Sequence, residues 1–169
     1  MSVEAVHFTR VMARVPGPVA VATTVDAAGR RWGFTGSSFS SLSLDPPLVL
    51  ICLDKEASTH EAFSNTDRFM INILGERQSD IALRFAKSGV DRFAAGDTDD
   101  LEWGLPGIPG AAARLVCALH QVYDGGDHSI LIGRVEHAHV GDVSPLVYWD
   151  RGFVRPVGLD ETESLAASR

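Results

Sequence analysis

Residues 35–43 hold six hydroxyl side chains in nine positions: Thr35, Ser37, Ser38, Ser40, Ser41 and Ser43. No charged residue stands between Trp32 and Leu44, although a surface loop ordinarily carries some. Hydroxyls and backbone N–H groups there offer neutral hydrogen bonds, and the small side chains let a flat ligand approach closely. Such a wall suits a polar heteroaromatic ring, whose edge has carbonyls and ring nitrogens while its faces stay apolar. The same composition also suits a serine-rich turn whose hydroxyls bond locally. A second constellation, Ser58-Thr59, stands at an expected helix start, with Glu61 three residues after Ser58. That spacing is a capping box. Spare N–H groups and two hydroxyls at a helix start equally make a phosphate site. The two stretches flank one apolar run, so the ring and phosphate of a single nucleotide could span them. In the third, Gly125-Gly126-Asp127-His128 leads into an apolar strand. A histidine at a strand mouth either donates to a ligand oxygen or sits half-exposed at a hairpin turn.

Other chemistries lack their residues. Gly104, Gly107 and Gly110 do not spell the dinucleotide fingerprint, and no Walker lysine occurs. Gly36-Ser37-Ser38-Phe39-Ser40 departs from the nucleophile elbow at its last residue. His137 and His139 share one strand face, but no carboxylate or cysteine completes a ligand set at recognisable spacing, so no metal is expected. The chain has 169 residues, 45% hydrophobic and 22% charged, room for one domain with a real core. A formal charge of −7 disfavours phosphate backbones, so nucleic acid is not an expected partner. No apolar run is long enough to span a bilayer, and no basic-then-apolar leader opens the chain, so a cytoplasmic protein without membrane contact is expected. Cys52 and Cys117 lie in apolar stretches and read as reduced core residues.

These residues need a scaffold. Residues 2–14 carry apolar side chains at helical spacing, and Val15-Pro16-Gly17-Pro18 stops that helix. Residues 19–25 and the stretch from Arg31 onward read as a β-hairpin about Asp26-Ala27-Ala28-Gly29. Residues 48–53, Leu-Val-Leu-Ile-Cys-Leu, predict a strand buried on both faces at the centre of the fold. A short helix over 59–65, a strand over 68–74 and a helix over 79–87 follow. Residues 88–110, with five glycines, two prolines and five acids, predict a lid or excursion. Residues 113–123 and 129–140 form a strand pair, and residues 146–149 a last strand. Six or seven strands with three short helices at the edges suggest a small barrel. The expected domain is 1–156, with a polar C-terminal tail over 157–169.

The ordered set Thr35 to Ser43, Asp45-Pro46-Pro47-Leu48-Val49, Cys52-Leu53, Ser58-Thr59, Phe69-Met70-Ile71-Asn72, Phe85-Ala86, Asp91-Arg92-Phe93 and Gly126-Asp127-His128 through Val135 resembles the flavin reductase family. These are short-chain NAD(P)H:flavin oxidoreductases that serve two-component monooxygenases. The resemblance covers roughly residues 8–153. It implies a mainly β, Greek-key FMN-binding split barrel with short flanking helices, working as a homodimer. Thr35, Ser37, Ser38 and Ser40 would face the flavin ring and ribityl chain, Cys52 and Leu53 would lie along the groove, and Ser58 and Thr59 would hold the phosphate. Phe85, Ala86 and Lys87 would close one side, with Arg92 and Phe93 nearby. Arg92 stands where many relatives have Lys, which keeps the charge but changes the geometry. His128 would contact the nicotinamide nucleotide. The implied reaction moves hydride from C4 of NADH or NADPH to N5 of FMN or FAD, and the reduced flavin passes to a partner monooxygenase. Two other readings are a non-catalytic flavin- or haem-binding split barrel and a pyridoxamine-phosphate-oxidase-like enzyme. The latter should gather several cations near Ser58-Thr59, where the sequence offers only Lys55.

Overall fold

β-branched and small residues alternate through the first half of the chain, and turn residues punctuate them, so antiparallel strands form between short connections. The computed structural model describes residues 3–158. Helix α1 (Ala5–Met12) leads into β1 (Gly17–Pro18), β2 (Ala20–Val25), β3 (Arg31–Gly36), β4 (Ser40–Ser43) and β5 (Leu48–Asp54). Then come α2 (His60–Ser64), β6 (Arg68–Ile73), α3 (Ser79–Ala86), β7 (Asp99–Asp100) and β8 (Pro106–Gly107). The long strands β9 (Ala113–Gly125) and β10 (His128–Val140) precede β11 (Val147–Trp149) and β12 (Gly152–Val154).

Seven strands form one antiparallel sheet in the order β3-β2-β6-β9-β10-β5-β4. Six of them send side chains into one interior cluster, including Ala20, Phe34, Ile51, Phe69, Cys117 and Leu131, together with Phe63 of α2. A sheet whose strands converge on one core has rolled into a barrel. Its edges do not ladder together. β4 pairs with β5 only as far as Ser40 opposite Leu50, which leaves the last residues of β5 as an open edge facing β3. There the Ser38 hydroxyl accepts the Cys52 N–H at 2.9 Å and bridges the split. α3 covers the outer face of β2: Ile81, Ala82 and Phe85 pack with Val19 and Val21 in a second cluster. This close approach requires Gly33, because a Cβ there would stand 2.7 Å from Phe85 Cε1. Burying Phe85 contributes roughly 1.5–3 kcal/mol. The mainly β split barrel with short helices is thus the observed fold.

Several expectations change. β5 is not central but next to the sheet edge, and its burial alternates, because its outer face forms a groove wall. The capping box does not form. Thr59 is the N-cap residue, in helical conformation and without a side-chain cap bond, while a turn closed by His60 N–H to Ala57 C=O precedes the helix. Of the two expectations for 88–110, a lid or an excursion, the structure shows an excursion whose second half packs on the sheet. Asn72 Oδ1 accepts the Ile108 N–H at 2.9 Å, and Leu101 and Leu105 pack on Met70 and Val116. Arg114 adds a two-pronged ion pair to Glu102, at 2.7 Å in its shorter arm, which holds the Glu102 carboxyl down to about 2. Cys117 is a core residue, and burial pushes its thiol up to about 12. Cys52, expected in the core, is half-exposed on the groove face of β5. The polar tail expected over 157–169 lies beyond the described residues from 159 onward.

Candidate active site

The open edge of β5 becomes a groove because nothing pairs with it except one hydroxyl. The groove has a volume of about 500 Å³, within the range of small-molecule sites. Gly36, Ser37 and Ser38 leave β3 along one wall, and Cys52 and Asp54 line the other. Phe85 and Ala86 come from the end of α3, Thr59 from the start of α2, Arg92 from the loop after α3, and His128 from the first residue of β10. Ten of the residues singled out from sequence therefore meet: Thr35, Ser37, Ser38, Cys52, Leu53, Thr59, Phe85, Ala86, Arg92 and His128.

Their roles are not equal. Thr35 donates its hydroxyl to the Ala82 carbonyl at 2.7 Å, so it anchors α3 and only its lone pairs face outward. Leu53 reaches the groove edge, but its side chain is 2% exposed and belongs to the barrel interior. Cys52, one residue earlier, takes the groove side, as period-two alternation requires. Arg92 is half-buried, and desolvation lowers its pKa from the usual value. Its Nε donates to the Lys87 carbonyl at 3.0 Å, and its own carbonyl accepts from Arg84 at 2.9 Å, so the loop after α3 is tied at both ends. His128 Nδ1 lies 2.8 Å from Asp127 Oδ1, and that hydrogen bond holds the Asp127 carboxyl below its usual range. Gly126 reaches φ +86° in the two-residue turn that delivers His128, a conformation that favours glycine.

Four expected residues stand outside this groove. Ser40 is the first residue of β4 and lies beside Phe39 and Leu146, outside the groove. Lys87 is exposed at the end of α3, where its carbonyl accepts from Arg92 Nε. Ser58 and Phe93 line a neighbouring groove with Arg30, Arg31 and Arg92. Lys55 also points away: its ammonium caps the β9–β10 tip through Asp124 and the Gly126 carbonyl. The scarcity of cations read from sequence is therefore corrected, since the adjacent pair Arg30-Arg31 and the remote Arg92 gather beside Ser58. Sequence reading missed Ser88, Ala57, Asp54 and Glu56 on the groove rim, and no signal in their types announced them.

The lining fits a polar ring with a phosphorylated tail. Hydroxyls alternate with the apolar faces of Phe34, Phe85 and Cys52, and the acids Asp54 and Glu56 stay exposed at the rim. Thr59 is fully buried, and its Oγ1 has no hydrogen-bond partner, a cost of about 1–3 kcal/mol that a bound acceptor would remove.

The Flavin reductase like domain matches residues 12–156. The actinorhodin polyketide dimerase of Streptomyces coelicolor is 42% identical over 84% of this chain and 81% of its own. The NADH:riboflavin 5'-phosphate oxidoreductase of Streptomyces pristinaespiralis is 40% identical over 88% of this chain and 86% of its own. Among solved structures, the NADH:FAD oxidoreductase of Streptomyces globisporus C-1027, in complex with NAD and FAD fragments, superposes with a TM-score of 0.86 at 35% identity. That match covers 92% of this chain and 94% of the other. Curated relatives differ in length, and the chain spans between 44% and 91% of them. A match over most of the chain, on a barrel whose split edge carries the hydroxyl groove, places it plainly: the chain belongs to the flavin reductase family.

Proposed function

We propose that this protein is an NAD(P)H-dependent flavin reductase that supplies reduced flavin to a partner monooxygenase. The observation that carries the reading is the groove at the unpaired end of β5, where neutral hydroxyls, the orphan Thr59 Oγ1 and His128 converge. When bound, FMN or FAD supplies the acceptor for a hydride from NADH or NADPH. Ser37, Ser38 and Cys52 line the ring site and leave its open side free for a second flat ring. Thr59 donates its hydroxyl to the phosphate. Phe85 and Ala86 would exclude water along one wall, and Arg92 would balance the negative charge of the phosphate. His128, fixed by Asp127, orients the nicotinamide nucleotide. No acid–base residue is needed for a hydride step, which agrees with a floor free of carboxylates. Holding the two rings in contact would supply the proximity that a hydride step needs.

The working unit we assign is residues 1–156, as a homodimer. α1 buries none of its side chains in its own chain, and Val6, Phe8 and Val11 remain 71%, 54% and 52% exposed. With Asp150 and Arg151 this helix walls an open hollow of about 720 Å³ that a second copy would fill. No helix among the described residues is long and apolar enough to cross a membrane, and both thiols are free, which suits the reducing cytoplasm. The test is flavin-dependent NAD(P)H oxidation by the purified protein, followed by absorbance. In the same assay His128→Ala raises KM for the nicotinamide nucleotide more than KM for flavin. No flavin-dependent oxidation, or equal effects on both KM values, would count against the assignment.

A further inference from the structure

The groove beside the ring site has about 640 Å³, and its wall carries Arg30, Arg31 and Arg92 on a chain whose formal charge is −7. Among the described residues, neither the Arg30 nor the Arg31 guanidinium has an ion-pair partner; each instead lies over an aromatic ring. Arg30 stacks on Trp32 at 4.1 Å, and Arg31 stacks on Phe93 at 4.9 Å. Both rings are themselves fixed. The Trp32 indole N–H donates to Asp26 Oδ2 at 2.8 Å, and Phe93 meets Phe85 edge to face at 5.1 Å. Held over aromatic rings, the two guanidiniums keep their N–H donors unpaired with any carboxylate among the described residues, and a planar fork of donors suits phosphate oxygens. The one acid on this wall, Asp91, is exposed, and its Oδ1 is engaged by the Phe93 N–H at 3.0 Å, against three arginines on the same wall.

The two grooves share a wall. Arg92 lines both, and the consecutive residues Thr59 and Ser58 line one each, Thr59 the ring groove and Ser58 the arginine groove. A phosphate held at Ser58-Thr59 would therefore sit at the junction. FMN ends at that phosphate. FAD continues from it through a second phosphate to adenosine. We infer that the arginine groove is the site for the adenosine diphosphate half of FAD, making this protein a reductase of the dinucleotide flavin. The inference rests on the flavin reductase reading above. Relatives do not decide it, since one is named for riboflavin 5'-phosphate and another for FAD.

The test is equilibrium binding, read as quenching of flavin fluorescence with no nicotinamide nucleotide present. The protein should bind FAD about tenfold or more tightly than FMN, the scale of one charge-assisted contact. The double variant Arg30→Ser/Arg31→Ser should lose most of that preference while its affinity for FMN stays put, and Arg31→Lys, which keeps charge but not the fork, should lose part of it. Circular dichroism checks that the variants fold; both arginines are exposed on the hairpin, so no core contact is removed. Equal affinity for the two flavins, or a variant that weakens both alike, overturns the assignment. If instead FAD binding is unchanged and the variant raises only KM for NADPH, the groove serves the nicotinamide nucleotide, and the assignment also falls. Failure of both flavins to bind removes the reductase reading itself.

Discussion

Replacing Thr59 by valine should move stability and ligand affinity in opposite directions. Valine keeps the β-branched shape and removes only the hydroxyl, which is fully buried and has no partner. An N-cap threonine normally loses about 1 kcal/mol on such a change, because its oxygen holds a helix N–H. Here that loss is absent, since Thr59 adopts helical angles and makes no cap bond. What remains is release from an unsatisfied polar group, about 1 kcal/mol at the low end of the expected range, with the ligand-free protein more stable. For a chain of this size that is a rise in Tm of about 2–4 °C. Flavin binding should lose one hydrogen bond to a charged phosphate, about 1.5–3 kcal/mol, or roughly 10- to 150-fold in Kd. Thermal unfolding without flavin and a fluorescence titration with it measure the two effects. A lower Tm would show that the hydroxyl has a structural partner after all. Unchanged flavin affinity would show that it does not face the phosphate.

Two more changes probe the scaffold. Glu102 has a folded pKa of about 2 against an ordinary 4.5 because of Arg114, so its ion pair stabilises above pH 4.5 and that contribution disappears as pH falls toward 2. With its side chain 18% exposed and screened by solvent, the pair contributes about 1–2 kcal/mol. Glu102→Gln should therefore lose stability at neutral pH and show a flatter acid limb in denaturant titrations; parallel limbs for variant and parent would refute the pairing. Gly133→Ala would place a Cβ 2.7 Å from Phe69 Cζ and 2.8 Å from Cys117 Cβ. The overpacked barrel should lose about 1–3 kcal/mol in urea unfolding, and a neutral outcome would mean the interior can yield there.

How much of this was readable from residue order depends on the distance over which each signal acts. The hairpin about Asp26 to Gly29, the helix over α3 and the β9–β10 pair around Gly126 are local, so spacing and turn chemistry announce them within a residue or two. The position of β5 is not local. Its apolar run looks central, but its neighbours are set by β10 and by the shortness of β4, and its outer side chains face a groove instead of a second layer. The same limit governs the site. Serine types marked the right loop, but Ser40 is the first residue of β4 and leaves the groove with that strand. Ser58 and Thr59 are equivalent in sequence, and the turn before α2 sends them to different grooves. Arg30 and Arg31 are neighbours in sequence but Arg92 lies far along the chain, and the loop after α3, with Phe93 against Phe85 and under Arg31, brings it beside them. The helix-capping reading failed because its spacing rule ignores the turn that already supplies Ala57 C=O.

Between the end of β3 and the last residues of β5 no ladder forms, and the Ser38 hydroxyl on the Cys52 N–H is the hydrogen bond that spans the gap. A zip with one stitch can gape and reclose without unravelling the cloth beside it. For a catalyst that hands reduced flavin onward, the groove and this thinly bonded seam coincide, and substitutions at Ser38 should trade retention of the carrier against speed of its delivery.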